Sequence, residues 1–569
     1  MIKKGAWPWL EGVILATVVA AILLISGEAV RASYHGYLHT SIGESVLRDG
    51  LIPENPYHAG TSIRYYTLYP SLGPLLGQLG LGPIGSFALL NVIAALLFGP
   101  AWNAFSAAAG LCFRQRRASF WAAILGFNAL GWLGWVLSPP DPNATVPIFS
   151  FLAMTMDEHS WAWDARLQSF LPKFLNVSSF ALALPFMLWA MAPAIRADGK
   201  AMSIILPLAV GMAINPLAGG FAVICIALWK FQTLLRGPVG QRLQWPLAGV
   251  VAGIIALPFL LPLFQPAPTG ESLTGTVRFQ HDGLMNFVGP MFLLLIPGAL
   301  GMRQWKREVA WKWGFALLIA ITIMAFARLP WGNQYKLARI AGLLWAIPVG
   351  RWAAQSWQGA KWQKALPIAL LLLSLPTTFL VAKTYLGWGS AAGPASLNNQ
   401  GGQLVLNAQA ATQSWPSVVQ QAEAEADDFA VLWMHPFHPG SRAGNGVVQG
   451  NALAPILHRA LFVDEPQIHN NQLEDLPLRR QLSFDLWGSE PPAKIRQAGQ
   501  AAIDVATQNS KSALLQARGL LPTRPFLILN HDGFSWTSQA LVDAAAEKLA
   551  TEYGISLWLL PALQPVAEN

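Results

Sequence analysis

The sequence predicts a mainly α-helical, polytopic membrane protein that ends in a small α/β domain, and three observations carry that prediction. Of 569 residues, 53% are hydrophobic and only 12% charged, with 25 tryptophans and a mean hydropathy of +0.40, the balance of a chain whose solvent is largely lipid. Apolar segments of about 20 residues, enough at 1.5 Å per residue to cross the ~30 Å hydrocarbon core, recur through residues 1–386. From about Ser390 the apolar runs shorten to strand length and charges become frequent.

The first segment, Trp7 to Ser26, carries a single charge, Glu11, behind Lys3 and Lys4. Its basic start is that of a signal peptide, but it lacks a small-residue cleavage site, so it reads as a retained helix. Further segments begin near Ser86, Ser119, Phe174, Met202, Leu217, Trp245, Phe287, Val309, Ile340 and Ala365, which makes about eleven transmembrane helices. Several are interrupted by proline.

Lysine and arginine accumulate in short cytoplasmic loops. With the segments alternating, Lys3, Lys4, Arg114, Arg116, Arg117, Arg196, Lys200, Arg236, Arg242, Arg303, Lys306, Arg307, Lys361 and Lys364 all fall on one side. That side is expected to be the cytoplasm of a bacterial-type plasma membrane, with the N-terminus on it. The outer side then receives loops 27–70 and 139–171, a tight turn at Asn215-Pro216, residues 265–286 and 328–339, and the C-terminal domain. All 10 histidines fall there too.

A Gly- and Asn-rich linker, residues 387–402, leads into a domain of residues 403–569, long enough to bury a core of its own. Phe429 to Met434, Ala460 to Val463, Pro525 to Leu529 and Ser556 to Leu560 read as buried strands. Trp415 to Asp427, Pro492 to Gly519 and Ser538 to Tyr553 read as helices beside them, hence an α/β layer.

Several classes are excluded on composition. Cys112 and Cys225 lie in apolar segments, so no disulfide framework or cysteine metal site is expected. There is no Gly-rich phosphate-binding motif followed by Lys-Ser or Lys-Thr, which speaks against a P-loop ATPase. The net charge of +8 follows where basic residues sit relative to the membrane, so nucleic acid is not an expected partner.

Chemistry concentrates behind the first apolar segment. His35 and His39 stand four residues apart, a helical turn, with Glu44 further along and Glu28 just beyond the apolar run. A neutral imidazole oriented by a carboxylate can take a proton from an attacking hydroxyl. Arg48-Asp49-Gly50 and PENPYHAG follow, where Pro53, Pro56 and Gly60 demand a shaped, irregular loop. Arg64, Tyr65, Tyr66 and Tyr69 come next; Tyr69 also suits a plain interfacial aromatic belt.

The second outer loop holds Asp157, Glu158, His159 and Asp164, followed by Arg166 and Lys173. Asp157 and His159 suit a divalent ion such as Mg or Mn, against the alternative of a solvated loop. Late in the chain, RLPWGNQYKLAR puts Arg328, Lys336 and Arg339 on the outer side, against the charge bias. A phosphate near the membrane would pair with them; snorkelling to lipid headgroups is the alternative.

This layout resembles the GT-C superfamily of integral membrane glycosyltransferases, in a prokaryotic branch distantly like the protein mannosyltransferases. His35, His39, Leu47, Gly50, Pro53, Gly60, Tyr65 and Tyr66 carry the likeness. The resemblance implies transfer of a sugar from a polyprenyl-phosphate-linked donor to a glycan, lipid or protein acceptor at the outer membrane face. It implies that Arg64, Tyr65, Tyr66, Lys336 and Arg339 bind substrate, among membrane lipids, and that a carboxylate or histidine acts as base. The mannosyltransferases carry an Asp-Glu pair three and two residues before the histidine; before His39 those positions are Gly36 and Tyr37. The base is therefore sought among Glu44, His35, His39, Glu28 and Asp49.

Two other classes fit parts of the pattern. A lipid or solute transporter or flippase would explain many broken helices, but should show mid-membrane ionisable groups and paired halves. A non-catalytic assembly subunit would leave the first-loop polar groups scattered. His435, His438, Arg442 and Arg459 in the C-terminal domain point to acceptor binding or a scaffold.

Overall fold

The computed structural model describes residues 7–26, 28–126, 171–196, 198–265, 276–277, 288, 291–303, 305–329, 335–385, 416–424, 430–434, 459–463, 474–488, 492–552 and 554–563. It is mostly helical, with a small sheet near the C-terminus. Four described helices are long and apolar enough to cross a bilayer: Trp7–Ile25, Gly85–Ala108, Val239–Phe264 and Arg307–Phe326. Shorter apolar helices span Ser179–Ile195, Ala201–Ile214, Pro216–Trp229 and Phe292–Arg303. Among the described residues, four of the expected spans, those beginning near Trp7, Ser86, Trp245 and Val309, are thus full-length apolar helices, and the others described are shorter or carry more charge.

The chain divides into two compact units. The first comprises residues 1–31, 84–260 and 272–398; the second comprises 32–83, 261–271 and 399–569.

In the first unit, α1 (Trp7–Ile25) packs on α4 (Gly82–Ala108) through glycines. A Cβ on Gly12 would collide with the Leu96 carbonyl, and one on Gly99 would stand 2.5 Å from the Pro8 carbonyl oxygen. Lacking a hydrophobic drive between helices in lipid, such chains gain packing energy from close backbone approach. Helix α5 (Phe113–Leu125) meets Tyr335–Ser356 the same way, with Gly350 against the Ser119 backbone. Glu11, the lone charge of α1, accepts a hydrogen bond from Arg117 at 3.1 Å, and that guanidinium lies 4.4 Å from the Trp7 ring centre.

The Asn215-Pro216 turn serves both flanking helices. Asn215 closes Ile205–Ile214 and caps Pro216–Trp229, its Oδ1 accepting from Ala218 N at 3.2 Å while its Nδ2 donates to Ser179 Oγ at 3.0 Å. Helix-end amides away from water need such partners.

The second unit contains α2 (Glu28–Asp49) from Ala32 onward, α3 (Leu68–Leu76) and the C-terminal layer. A two-stranded pair, β1 (Thr276–Val277) and β2 (Ala327–Arg328), belongs to the first unit. The C-terminal sheet has strand order β3–β4–β6–β5, with β3 (Val431–Met434), β4 (Phe526–His531), β5 (Glu547–Glu552) and β6 (Ile555–Leu560). Only β3 and β4 run parallel; Val431 faces Phe526, and Phe526 faces Leu560 across the antiparallel β4–β6 pair.

Helices Leu476–Trp487, Gln500–Leu520 and Ser535–Asp543 contribute to its core, where Trp433, Phe462, Leu486, Trp487, Phe526, Phe534 and Trp536 are buried. Two of these indoles are satisfied inside: Trp433 Nε1 donates to Ser483 Oγ at 2.9 Å, and Trp487 Nε1 to Asn530 Oδ1 at 3.0 Å.

Two sequence expectations change here. Ala460 to Val463 forms an isolated parallel bridge, Leu461 to Leu432, rather than a full strand. Ser538 to Tyr553, expected as one helix, is a helix only to Asp543; Ala545 takes a left-handed φ of 59° and the chain turns back as β5. β5 is a largely exposed edge strand, so its EKLATE sequence carries no strong apolar alternation. Its ladder comes from β6.

Candidate active site

Two groups of candidate residues stand out, one in each compact unit. In the first unit, Lys173 on the short helix Pro172–Leu175 comes under the charges of Lys336 and Arg339 from helix Tyr335–Ser356. Lys173 is 8% exposed, Arg339 is 0% exposed and Lys336 is partly buried. Burial, reinforced by the positive charge of Arg339 and Lys336, pushes the Lys173 ammonium well below its ordinary value.

Local packing holds these residues in place. Asn91 Nδ2 donates to the Asn176 carbonyl at 2.8 Å, and the Phe174 ring lies 5.5 Å from Phe98, so the Lys173 helix is anchored on α4. Leu337, Ile340, Leu343 and Leu344 are buried around Arg339. Three cations drawn together away from water repel, and a phosphate group bound among them would offset that cost. The sequence pointed to Lys336 and Arg339; Lys173, which it grouped with the second outer loop, joins them.

In the second unit, α2 carries His39, which is buried, with its ring centre 4.8 Å from Tyr69 edge-on and 5.7 Å from Tyr65. Tyr65 stacks on Tyr66 at 4.2 Å, and its hydroxyl donates to that of Tyr66 at 2.9 Å. Gly43 makes this possible, since a Cβ there would strike the Pro70 carbonyl of α3. Tyr65 and Tyr69 thus pack against a histidine.

Glu44 is half-buried on the same helix. Five residues at about 100° each set it roughly 140° around α2 from His39, so the two do not share a face. Both remain candidates, carried by one continuous helix. Arg64 is half-buried. The backbones of Glu28 and His35 belong to α2, but their side chains lie outside the described residues, as do Asp157, His159, the rest of the second outer loop, His435, His438 and Arg442. Among the described residues, no group of three or more His, Cys, Asp or Glu side chains could hold a metal ion.

The irregular loop after α2 is the main surprise, because it docks on the C-terminal layer. Leu461 N donates to the Pro56 carbonyl at 2.9 Å and Ala59 N to the Leu461 carbonyl at 2.8 Å, extending the sheet edge past β3. Ala59 enters the hydrophobic core beside Trp433 and Phe462.

Charged side chains lock the joint. Arg479 donates through Nη1 to the carbonyls of Ala59 and Phe462, both at 2.8 Å, and through Nε to Asp475 Oδ2 at 2.7 Å. His58 Nε2 bonds Asp475 Oδ1 at 2.8 Å. Glu54 meets Arg524 at 2.7 Å and Arg48 at 3.3 Å, and its own backbone N donates to Asp49 Oδ2 at 3.0 Å.

Burial drives the His58 pKa down, so at neutral pH the ring is neutral and donates to Asp475. Burial of Asp475 opposes its charge, but the hydrogen bond from His58 and the Arg479 guanidinium outweigh it and hold the carboxyl at about 2. The prolines of PENPYHAG are legible in the sequence; the roles of His58 and Glu54 are not, because their partners Asp475 and Arg524 lie more than 400 positions away. The signal available was polar side chains inside a proline-braced loop.

No protein-family model matches the chain, and no curated protein matches it. Solved structures do. The apo and undecaprenyl phosphate-bound crystal structures of ArnT from Cupriavidus metallidurans align over 99% of this chain and 100% and 99% of theirs, at 12% and 13% identity and a TM-score of 0.46. The cryo-EM structure of arabinofuranosyltransferase AftD from Mycobacteria aligns over 96% of this chain at 12% identity and a TM-score of 0.50; the match spans 40% of that longer chain. At that identity the likeness to the arabinofuranosyltransferase is one of fold, and the described apolar helices are long enough to cross a bilayer.

Proposed function

We propose that this chain is an integral membrane glycosyltransferase that moves a sugar from a polyprenyl-phosphate-linked donor to an acceptor at the outer membrane face. One observation carries the reading: buried Lys173 and Arg339, with Lys336, make a cationic cluster suited to a phosphate, in a chain with a GT-C fold. In this reading the acceptor oxygen attacks the anomeric carbon, the bond to the phosphate oxygen breaks, and the carrier phosphate leaves with the electron pair. Lys173, Lys336 and Arg339 stabilise the charge that develops on that phosphate, and Arg64 is a further candidate for substrate binding.

The acceptor proton passes to a base on α2, for which Glu44, His39, His35 and Glu28 are the candidates. Tyr65 and Tyr66 offer aromatic faces and hydroxyls to a sugar. Asp157 and His159 are proposed to hold a divalent ion, Mg or Mn; incubation with EDTA then abolishes transfer and added Mn or Mg restores it.

Proteoliposomes given radiolabelled polyprenyl-phosphate sugars and an envelope extract as acceptor test the reading. Label should move to acceptor with the purified protein, and Glu28→Gln, Glu44→Gln, His35→Gln and His39→Gln should identify the base by the largest fall in kcat. Donor movement across the bilayer without any transfer would instead establish a flippase.

A further inference from the structure

We infer that Arg479, Asp475 and Arg524 are positioning residues for the reaction: through the first outer loop they hold the last turn of α2, which makes the C-terminal layer part of the catalytic apparatus. This rests on the glycosyltransferase reading above.

The chain of contacts is continuous and lies within one compact unit. Arg524, at the entry to β4, grips Glu54; the same carboxylate reaches Arg48, and Asp49 takes the Glu54 backbone N–H. Arg48 stands one helical turn beyond Glu44 on the same face of α2. Any shift of the loop relative to the sheet therefore pulls on the turn that presents Glu44.

Further along the loop, Arg479 binds the Ala59 carbonyl, the Phe462 carbonyl and Asp475 together, and Asp475 in turn holds His58. A cover for a hydrophobic edge needs only apolar contact. Here a guanidinium 3% exposed and a histidine 0% exposed are buried as well; such groups are costly to desolvate, and the three directed bonds of Arg479 fix a defined geometry in return. Pro53 and Pro56 restrict the loop backbone further. The arrangement selects one conformation more than it adds stability.

The test uses the full chain in lipid nanodiscs, with hydrogen exchange and transfer kinetics measured on the same samples. In Arg479→Gln the amides of Ala59 and Leu461 should lose protection together while those of β4 stay protected. A misplacement of about 1 Å costs up to roughly 10²-fold in rate, so kcat should fall by about that factor with the donor KM unchanged. Arg524→Ala, at a part-exposed site and so tolerant of folding, should show a smaller fall of the same kind, and Arg524→Lys should restore most of it. Unchanged protection in Arg479→Gln, or unchanged kcat in both Arg479→Gln and Arg524→Ala, overturns the inference. If the wild-type chain transfers no sugar, the function and the positioning role fall together, whereas exchange at Ala59 and Leu461 still reports whether the loop is docked.

Discussion

Lys173 separates a binding role from a structural one. Lys173→Met, which drops the charge, separates the two: if the charge serves the ligand, the thermal midpoint should stay unchanged. The same variant should lose donor affinity, since hydrogen bonds to charged groups contribute about 1.5–3 kcal/mol, roughly a 10- to 150-fold rise in donor KM. A lower midpoint with unchanged KM would show Lys173 to be structural.

His58 makes a second, pH-dependent case. Its folded pKa is depressed, so the unfolded chain takes up the proton first and stability rises with pH across that window. The docked loop should be fully stable above about pH 6.5 and weaken as pH falls from there toward the lowered value. Asp475, held at about 2, contributes stability above its ordinary value that is lost as pH falls from about 4 toward 2. Hydrogen exchange at Ala59 between pH 8 and pH 5, corrected for the intrinsic rate, checks the first; His58→Gln should flatten it.

Among elements, the membrane helices are legible in outline and ambiguous in number. Composition makes an apolar helix inevitable, yet proline and glycine decide how long each runs and how closely it packs. Gly350 shows the point: Gly350→Ala drives a methyl group into the Ser119 backbone and should destabilise the first unit by about 1–3 kcal/mol, read as a lowered thermal midpoint in detergent. Gly314→Ala, which meets open space, should not. The C-terminal strands at 431–434, 526–531 and 555–560 were readable from apolar runs because they are central or buried. β5 was not, since an edge strand exposes most of its side chains and borrows its order from β6.

At the scale of the whole molecule, the loop after α2 and the C-terminal layer belong to one compact unit. Residues 403–569 alone would leave the Leu461 backbone without Pro56 and Ala59, and would open the core where Ala59 sits. That fragment should unfold at lower denaturant than the same residues in the full chain. A peptide of residues 50–66 should raise its midpoint in proportion to RT ln(1 + [L]/Kd), and should fail to do so with Arg479→Gln.

Sequence alone determined that this is a helical membrane chain with a terminal α/β layer and that polar residues gather behind the first span, and it singled out Lys336 and Arg339 as candidates. These follow from composition, periodicity and charge bias, which act locally along the chain. Only the tertiary structure decided that Lys173 joins Lys336 and Arg339, and that His58 answers to Asp475. The reason is physical: buried charges are paired by whatever the fold brings within about 3 Å, and that choice is made across hundreds of residues, where local pattern carries no signal.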